Sequence, residues 1–95
     1  MIAKDFFEKL GYSLINNFDI KNIIYDKNMQ YGNKIIKCYE CYDKKYCDFR
    51  YIVFLESKKI LKWNYSHQCL MFITYEEIKA INKQIEELGW ENESC

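Results

Sequence analysis

The sequence predicts a small α+β protein in which an antiparallel sheet lies between a short N-terminal helix and a longer C-terminal helix. Apolar residues recur at helical spacing near both ends of the chain, and β-branched and aromatic residues are concentrated between them. The 95 residues are enough for one hydrophobic core and too few for two. We therefore expect one domain, residues 1–95, with the element order α-β-β-β-β-α.

The N-terminal helix is predicted for residues 3–10. Phe6, Phe7 and Leu10 fall on one side of such a helix, and Gly11 suits the left-handed position that follows a helix end. A helix this short is marginal in isolation, so we expect it to dock on the rest of the protein.

The C-terminal helix is predicted for residues 75–88. Thr74 and Glu77 have the spacing of a capping box, in which each side chain accepts a hydrogen bond from the backbone of the other. Gly89 suits the helix end, and we expect Trp90 to pack back on the last turn. The expected apolar stripe consists of Ile78, Ile81, Ile85 and Leu88.

Runs rich in β-branched and aromatic residues predict a meander of four or five strands with both helices on one face. The expected strands cover residues 20–25, 35–42, 47–55 and 59–65, and residues 68–73 form either a fifth strand or an extended lead into the helix. A polar stretch at residues 26–33, with the turn-like pair Gly32 and Asn33, follows the first strand. A short reversal at residues 43–45 follows the second strand.

The loop between the last two long strands determines which side chains share a face of the sheet. A two-residue loop mixes polar and apolar positions, whereas an odd loop of three or five residues pairs Tyr51 with Trp63 and Val53 with Leu61. With the odd loop, the opposite face is too apolar for contact with water alone, which predicts an interface with a second subunit or a ligand. That face holds Arg50, Ile52, Phe54, Ile60 and Lys62.

Cysteine and histidine side chains form the only group with the chemistry of metal ligands. Cys38 and Cys41 form a CxxC motif, His67 and Cys69 follow it, and tetrahedral zinc takes four such ligands. The CxxC motif lies in a predicted strand, however, where positions three apart point to opposite faces. We therefore expect free buried thiols and no metal, with a zinc site at these four residues as the alternative. The odd total of five cysteines and the lack of an export signal argue against a disulfide framework.

Catalytic and targeting motifs are not found in the sequence. It has no P-loop, GxGxxG, HExxH or GxSxG string. Fourteen basic residues balance fourteen acidic ones, so no overall field attracts nucleic acid. No apolar run approaches the roughly 20 residues of a membrane span. We expect a cytoplasmic, non-enzymatic protein without a cofactor.

Both ends of the chain carry a resemblance. FFEKLGY at residues 6–12 and ITYEEIKAINKQIEELGW at residues 73–90 resemble short, mostly uncharacterised proteins of phages and prophages of Gram-positive bacteria. The resemblance covers about a quarter of the chain, and its motifs are those of helix capping and packing. It implies a shared fold and, by association, the non-catalytic counter-defence role of many small phage proteins.

Three functions stay open from the sequence. The first is sequestration of an anionic, nucleotide-like signal molecule by a homodimer or larger homo-oligomer, with Arg50 and Lys62 on phosphate beside Phe54, Ile52 and Ile60. The second is inhibition of a bacterial defence protein, for example a CRISPR effector, by binding to its surface. The third is a zinc-stabilised regulatory or DNA-binding module. Arg50 is the only arginine, and a planar guanidinium can make paired hydrogen bonds to a phosphate that lysine cannot. We therefore expect Arg50 to contact phosphate. The alternative is an ion pair across strands with Glu40 or another carboxylate.

Overall fold

A five-stranded antiparallel sheet organises the protein, as seen in a computed structural model that describes residues 1–90. The strands are adjacent in sequence order, which confirms the predicted α+β class and the antiparallel meander. The strands are β1 (Ser13–Leu14), β2 (Ile35–Asp43), β3 (Asp48–Leu55), β4 (Ile60–Asn64) and β5 (Cys69–Leu70). The helices are α1 (Ala3–Lys9), α2 (Ile20–Ile23), α3 (Lys27–Gln30) and α4 (Tyr75–Leu88). Within residues 1–90, none of these helices has the length and apolar character needed to cross a lipid bilayer.

The two terminal helices form where the sequence predicts them. In α4, the Thr74 hydroxyl accepts a hydrogen bond from the Glu77 N–H at 3.2 Å, and the Glu77 carboxylate accepts one from the Thr74 N–H at 2.9 Å. This confirms the capping box. Gly89 ends the helix at a φ of 74°, and the Trp90 ring lies 6.3 Å from the ring of Phe54. The predicted stripe is wrong at Ile78, which is 43% exposed.

The strand predicted for residues 20–25 is wrong, because the short helix α2 occupies Ile20–Ile23, and a second short helix, α3, follows at Lys27–Gln30. The Asp19 side chain caps α2 by accepting from the Lys21 N–H at 3.1 Å, and Asp26 caps α3 by accepting from the Asn28 N–H at 2.9 Å. These caps favour helical turns over the β-propensity of the isoleucines. The edge position next to β2 is occupied instead by β1, a strand that the sequence did not predict.

The register between β3 and β4 confirms the odd loop. Tyr51 pairs with Trp63 and Val53 pairs with Leu61. The Leu55 N–H donates to the Lys59 carbonyl at 2.9 Å, so three residues form the turn. Lys58 in this turn has a φ of 64°, the left-handed conformation typical of three-residue hairpin loops.

One face of the sheet, here called the helix face, packs against α1 and α4. It includes the even-numbered positions of β3, and Ile52 and Phe54 are 0% exposed there, in one cluster with Phe7 of α1 and Ile81 of α4. The expectation that this face stays open to a ligand or a second subunit is therefore wrong. The sequence predicted both helices on the other face of the sheet. In the structure, α1 and α4 cover the apolar residues of this face.

The opposite face is covered by residues 15–34, here called the covering segment. It packs Ile23 and Ile24 against a cluster that includes Val53 and Trp63. Both faces of the sheet are thus buried in the single chain. The apolar alternation in β3 reflects two internal cores, rather than one core and one binding surface.

Candidate functional site

The five residues predicted to bind a ligand share the helix face but do not form an open site. Ile52 and Phe54 are completely buried, Ile60 is partly buried in the same cluster, and Lys62 is 6% exposed. Arg50 keeps partial contact with water, with a side chain that is 26% exposed. The apolar members are covered by α1 and α4, so they offer no surface on which a base could stack.

Lys62 is part of a buried network around Glu77. Its Nζ donates to Glu77 Oε1 at 2.9 Å, and the two side chains are 6% and 8% exposed. The Tyr12 hydroxyl donates to Glu77 Oε2 at 2.6 Å. Burial raises the pKa of Glu77, but the hydrogen bonds from Thr74, Tyr12 and Lys62 outweigh it and hold that pKa below the ordinary value. Burial and the bond to Glu77 raise the pKa of Tyr12. The Lys62 ammonium is therefore neutralised inside the protein and is not presented to a phosphate.

Arg50 forms an ion pair with a carboxylate of the adjacent strand. Its Nη2 lies 2.8 Å from Asp43 Oδ2, which confirms the alternative of an ion pair across strands, with a carboxylate other than Glu40. Its Nε atom is buried without a hydrogen-bond partner in the described structure. The guanidinium is thus held against Asp43 at the polar end of the helix face.

The cysteines and the histidine are spread over the structure. Cys38 is buried in the core beneath the covering segment, whereas Cys41 packs with the cluster on the helix face, so the CxxC side chains point in opposite directions as expected. Cys69 and His67 are exposed, and no group of three or more His, Cys, Asp or Glu side chains within residues 1–90 is arranged to hold a metal. The structure therefore does not bring together the four residues of the zinc alternative, Cys38, Cys41, His67 and Cys69. Cys95 lies outside the described residues.

Burial also decides the chemistry of two thiols. It raises the pKa of Cys38, with a further contribution from the Glu40 carboxylate, and it raises the pKa of Cys41. A thiol with a raised pKa holds its proton at neutral pH and reacts slowly as a nucleophile. Cys38 therefore acts as a small apolar side chain of the core.

A second polar group fixes the corner that joins β4 to β5. The Asp48 carboxylate accepts hydrogen bonds from Asn64 Nδ2 at 2.6 Å and from the Ser66 N–H at 3.4 Å, and Asn64 Oδ1 accepts one from the His67 N–H at 2.8 Å. Burial raises the pKa of Asp48, but the bonds from Ser66 and Asn64 outweigh it and lower the pKa. This group sets the direction in which the chain enters β5.

An exposed apolar surface follows this corner. Of the twelve exposed large apolar residues within residues 1–90, five fall within nine consecutive positions. No charged residue occurs between Gln68 and Tyr75. We call these five side chains the apolar strip: Leu70 (58% exposed), Phe72 (95%), Ile73 (37%), Tyr75 (71%) and Ile78 (43%).

Sequence reasoning missed the apolar strip because it assigned residues 68–73 to a strand or an extended lead into the helix, and Ile78 to a buried helix stripe. One feature of the sequence indicates it: residues 68–75 hold no charge, although they lie at the last strand of the sheet. Exposed apolar side chains grouped in this way often mark a surface that binds another molecule.

A cleft of about 320 Å³ lies elsewhere, between the covering segment and the start of β2. It shares no residue with the predicted ligand set. Its two charged lining residues, Asp19 and Lys34, have opposite signs, so it does not favour an anionic ligand. The cleft is lined by Phe18, Asp19, Ile20, Asn33, Lys34 and Ile35.

Comparison with known proteins does not extend these observations. No protein-family model matches the sequence, and neither a curated protein nor a solved structure matches it. The described structure defines an α+β domain with two internal cores, a buried ion-pair network and one exposed apolar strip.

Proposed function

We propose that this protein is a non-enzymatic protein-binding domain and that the apolar strip is its binding surface. The observation that carries the proposal is the exposure of Phe72, at 95%, within a charge-free segment that also exposes Leu70 and Tyr75. Burying apolar surface is favourable by roughly 25 cal/mol per Å². Aromatic side chains are also enriched in the energetically dominant part of protein interfaces.

The polar residues support this choice over binding of a small anion. Lys62 is neutralised by Glu77, and Arg50 is held by Asp43. Phe54, the residue expected to stack on a base, is 0% exposed. Of the three functions open from the sequence, a surface that binds another protein fits these contacts best.

The proposal is tested by placing a photo-crosslinking amino acid at position 72 in bacterial cells that produce the protein. The matched control carries it at position 31, because Tyr31 is also aromatic and is 89% exposed but lies outside the apolar strip. We expect a discrete crosslinked protein species from position 72 and none from position 31. No crosslink from position 72, or the same set from both positions, would overturn the proposal.

A second measurement separates this function from ligand sequestration. We expect a panel of linear and cyclic nucleotides to leave the melting temperature unchanged. A nucleotide that raises it, with the shift lost in Arg50→Ala, would restore the first function.

A further inference from the structure

The free edge of β5 has backbone groups available for another strand. Within residues 1–90, β5 is the last strand of the sheet and pairs only with β4, through Leu70 opposite Trp63 and Cys69 opposite Asn64. The Met71 N–H continues this ladder by donating to the Lys62 carbonyl at 2.9 Å. Since backbone groups of alternate residues point to the same neighbour, Cys69 and Met71 face β4. Those of Leu70 and Phe72 then face the open edge.

This edge lacks the charges and the proline that keep many edges from pairing, although β5 itself is only two residues long, Cys69–Leu70. Natural edge strands commonly carry a lysine, a proline or a bulge, which prevents a second strand from adding. The chain has no proline, and its residues 68–75 have no charge. The next positions along the chain, Phe72 and Tyr75, are largely exposed aromatic residues.

We infer that the apolar strip binds a second copy of this chain and that the two β5 edges pair antiparallel about a two-fold axis at Met71. The inference rests on the proposed function and names the partner of that surface. In this register Leu70 lies opposite Phe72 of the second copy, and the same contact repeats across the axis. The outward N–H and C=O groups of these two residues then pair with each other, as a symmetric interface requires.

The size and charge of the surface fit a second copy. From their exposed fractions, the five side chains of the apolar strip expose on the order of 500–600 Å². A standard interface buries about 800 Å² on each partner, so the apolar strip with a polar rim accounts for one. The chain has a formal net charge of +0, so electrostatic repulsion between copies does not oppose association.

The first test is sedimentation equilibrium of the full chain under reducing conditions. We expect a dimer for the wild type and a monomer for Phe72→Lys, since the lysine places like charges on both sides of the paired edges. Phe72 is 95% exposed, so this variant should still fold and unfold cooperatively as a monomer. The control Tyr31→Lys, at a site that is 89% exposed, should remain a dimer. A monomeric wild type, or a Phe72→Lys variant of dimer mass, overturns the inference.

The second test examines the register by disulfide formation. The exposed Cys47 and Cys69, together with Cys95, are changed to serine, and Met71→Cys is compared with Ile73→Cys under mild oxidation. We expect a crosslinked dimer from position 71, because the two copies of residue 71 face each other at the axis. Two copies of residue 73 lie about 13 Å apart, beyond the reach of a disulfide of about 7 Å. A crosslink from position 73 and none from position 71 overturns the proposed pairing.

The two proposals fail in different ways. A purified chain that is monomeric, while position 72 crosslinks to another protein in cells, refutes the second copy as partner and leaves the protein-binding function standing. A purified dimer whose crosslink in cells is to itself supports both.

Discussion

Replacement of Lys62 by methionine tests how much the buried ion pair stabilises the helix face. Methionine keeps most of the apolar stem of lysine and removes the ammonium, so Glu77 is left with the donors of Thr74 and Tyr12. Both charged side chains are less than one tenth exposed, so water screens the pair little. Removing one partner of such a pair costs about 3–5 kcal/mol. We expect about 3 kcal/mol, because two hydrogen bonds to the carboxylate remain.

The loss is large for a chain of this size. Small domains unfold with about 5–15 kcal/mol, and 1 kcal/mol shifts the melting temperature of a 60–100-residue domain by roughly 4–8 °C. We therefore expect Lys62→Met to melt roughly 12–24 °C below the wild type in a circular dichroism scan at neutral pH. The matched control is Lys79→Met, which removes an exposed pair with Glu76 whose side chains are 48% and 61% exposed. That variant should stay within about 0.5 kcal/mol of the wild type.

Acid provides an independent check on the same pair. The pKa of Glu77 is lower in the folded protein than in the unfolded chain, so its stabilising contribution is complete above the unfolded value of about 4.3 and disappears as the pH falls through the folded value. The stability difference between wild type and Glu77→Gln should therefore be largest at neutral pH and shrink in strong acid. If Lys62→Met melts as close to the wild type as the control does, the reasoning about this network is refuted.

Three further predictions concern the core, the thiols and the buried hydrogen bond between Tyr39 of the sheet and Gln84 of α4. Ile81→Asp should abolish the cooperative melt, because Ile81 is 6% exposed, whereas Asn82→Asp at the exposed neighbouring position should melt like the wild type. A thiol reagent should modify the exposed Cys69 in the folded protein and leave the buried Cys38 unmodified on the same timescale, as mapped by mass spectrometry. Tyr39→Phe removes the hydroxyl that bonds Gln84, both being buried, and should lower the free energy of unfolding in urea by about 1–2 kcal/mol.

The parts of the fold that local chemistry determines could be predicted from the sequence. The capping box at Thr74 and Glu77 and the helix end at Gly89 depend on residues within one turn of each other. Strand alternation likewise identified which residues of β3 and β4 share a face. Residues 20–25 were misassigned because β-propensity depends on whether a partner strand is present. That partner position belongs to β1.

The site could not be predicted because it depends on which layer covers which face. Alternation shows that Ile52 and Phe54 point one way and Val53 the other, but it does not show that α1 and α4 pack on the first pair. Lys62 and Glu77 belong to a strand and a helix that meet only in the folded protein. Their pairing therefore has no pattern in the sequence, although each residue is visible there.

The central position of β3 has a consequence for local opening. It is paired with β2 on one side and β4 on the other, and residues 51–55 are all buried. Its amide hydrogens should therefore exchange with solvent only when the whole protein unfolds. The covering segment contains helices of only four residues each, which are not stable alone. We expect its amides to exchange through smaller openings, in which water reaches the face beneath this segment while α1 and α4 stay packed on the other.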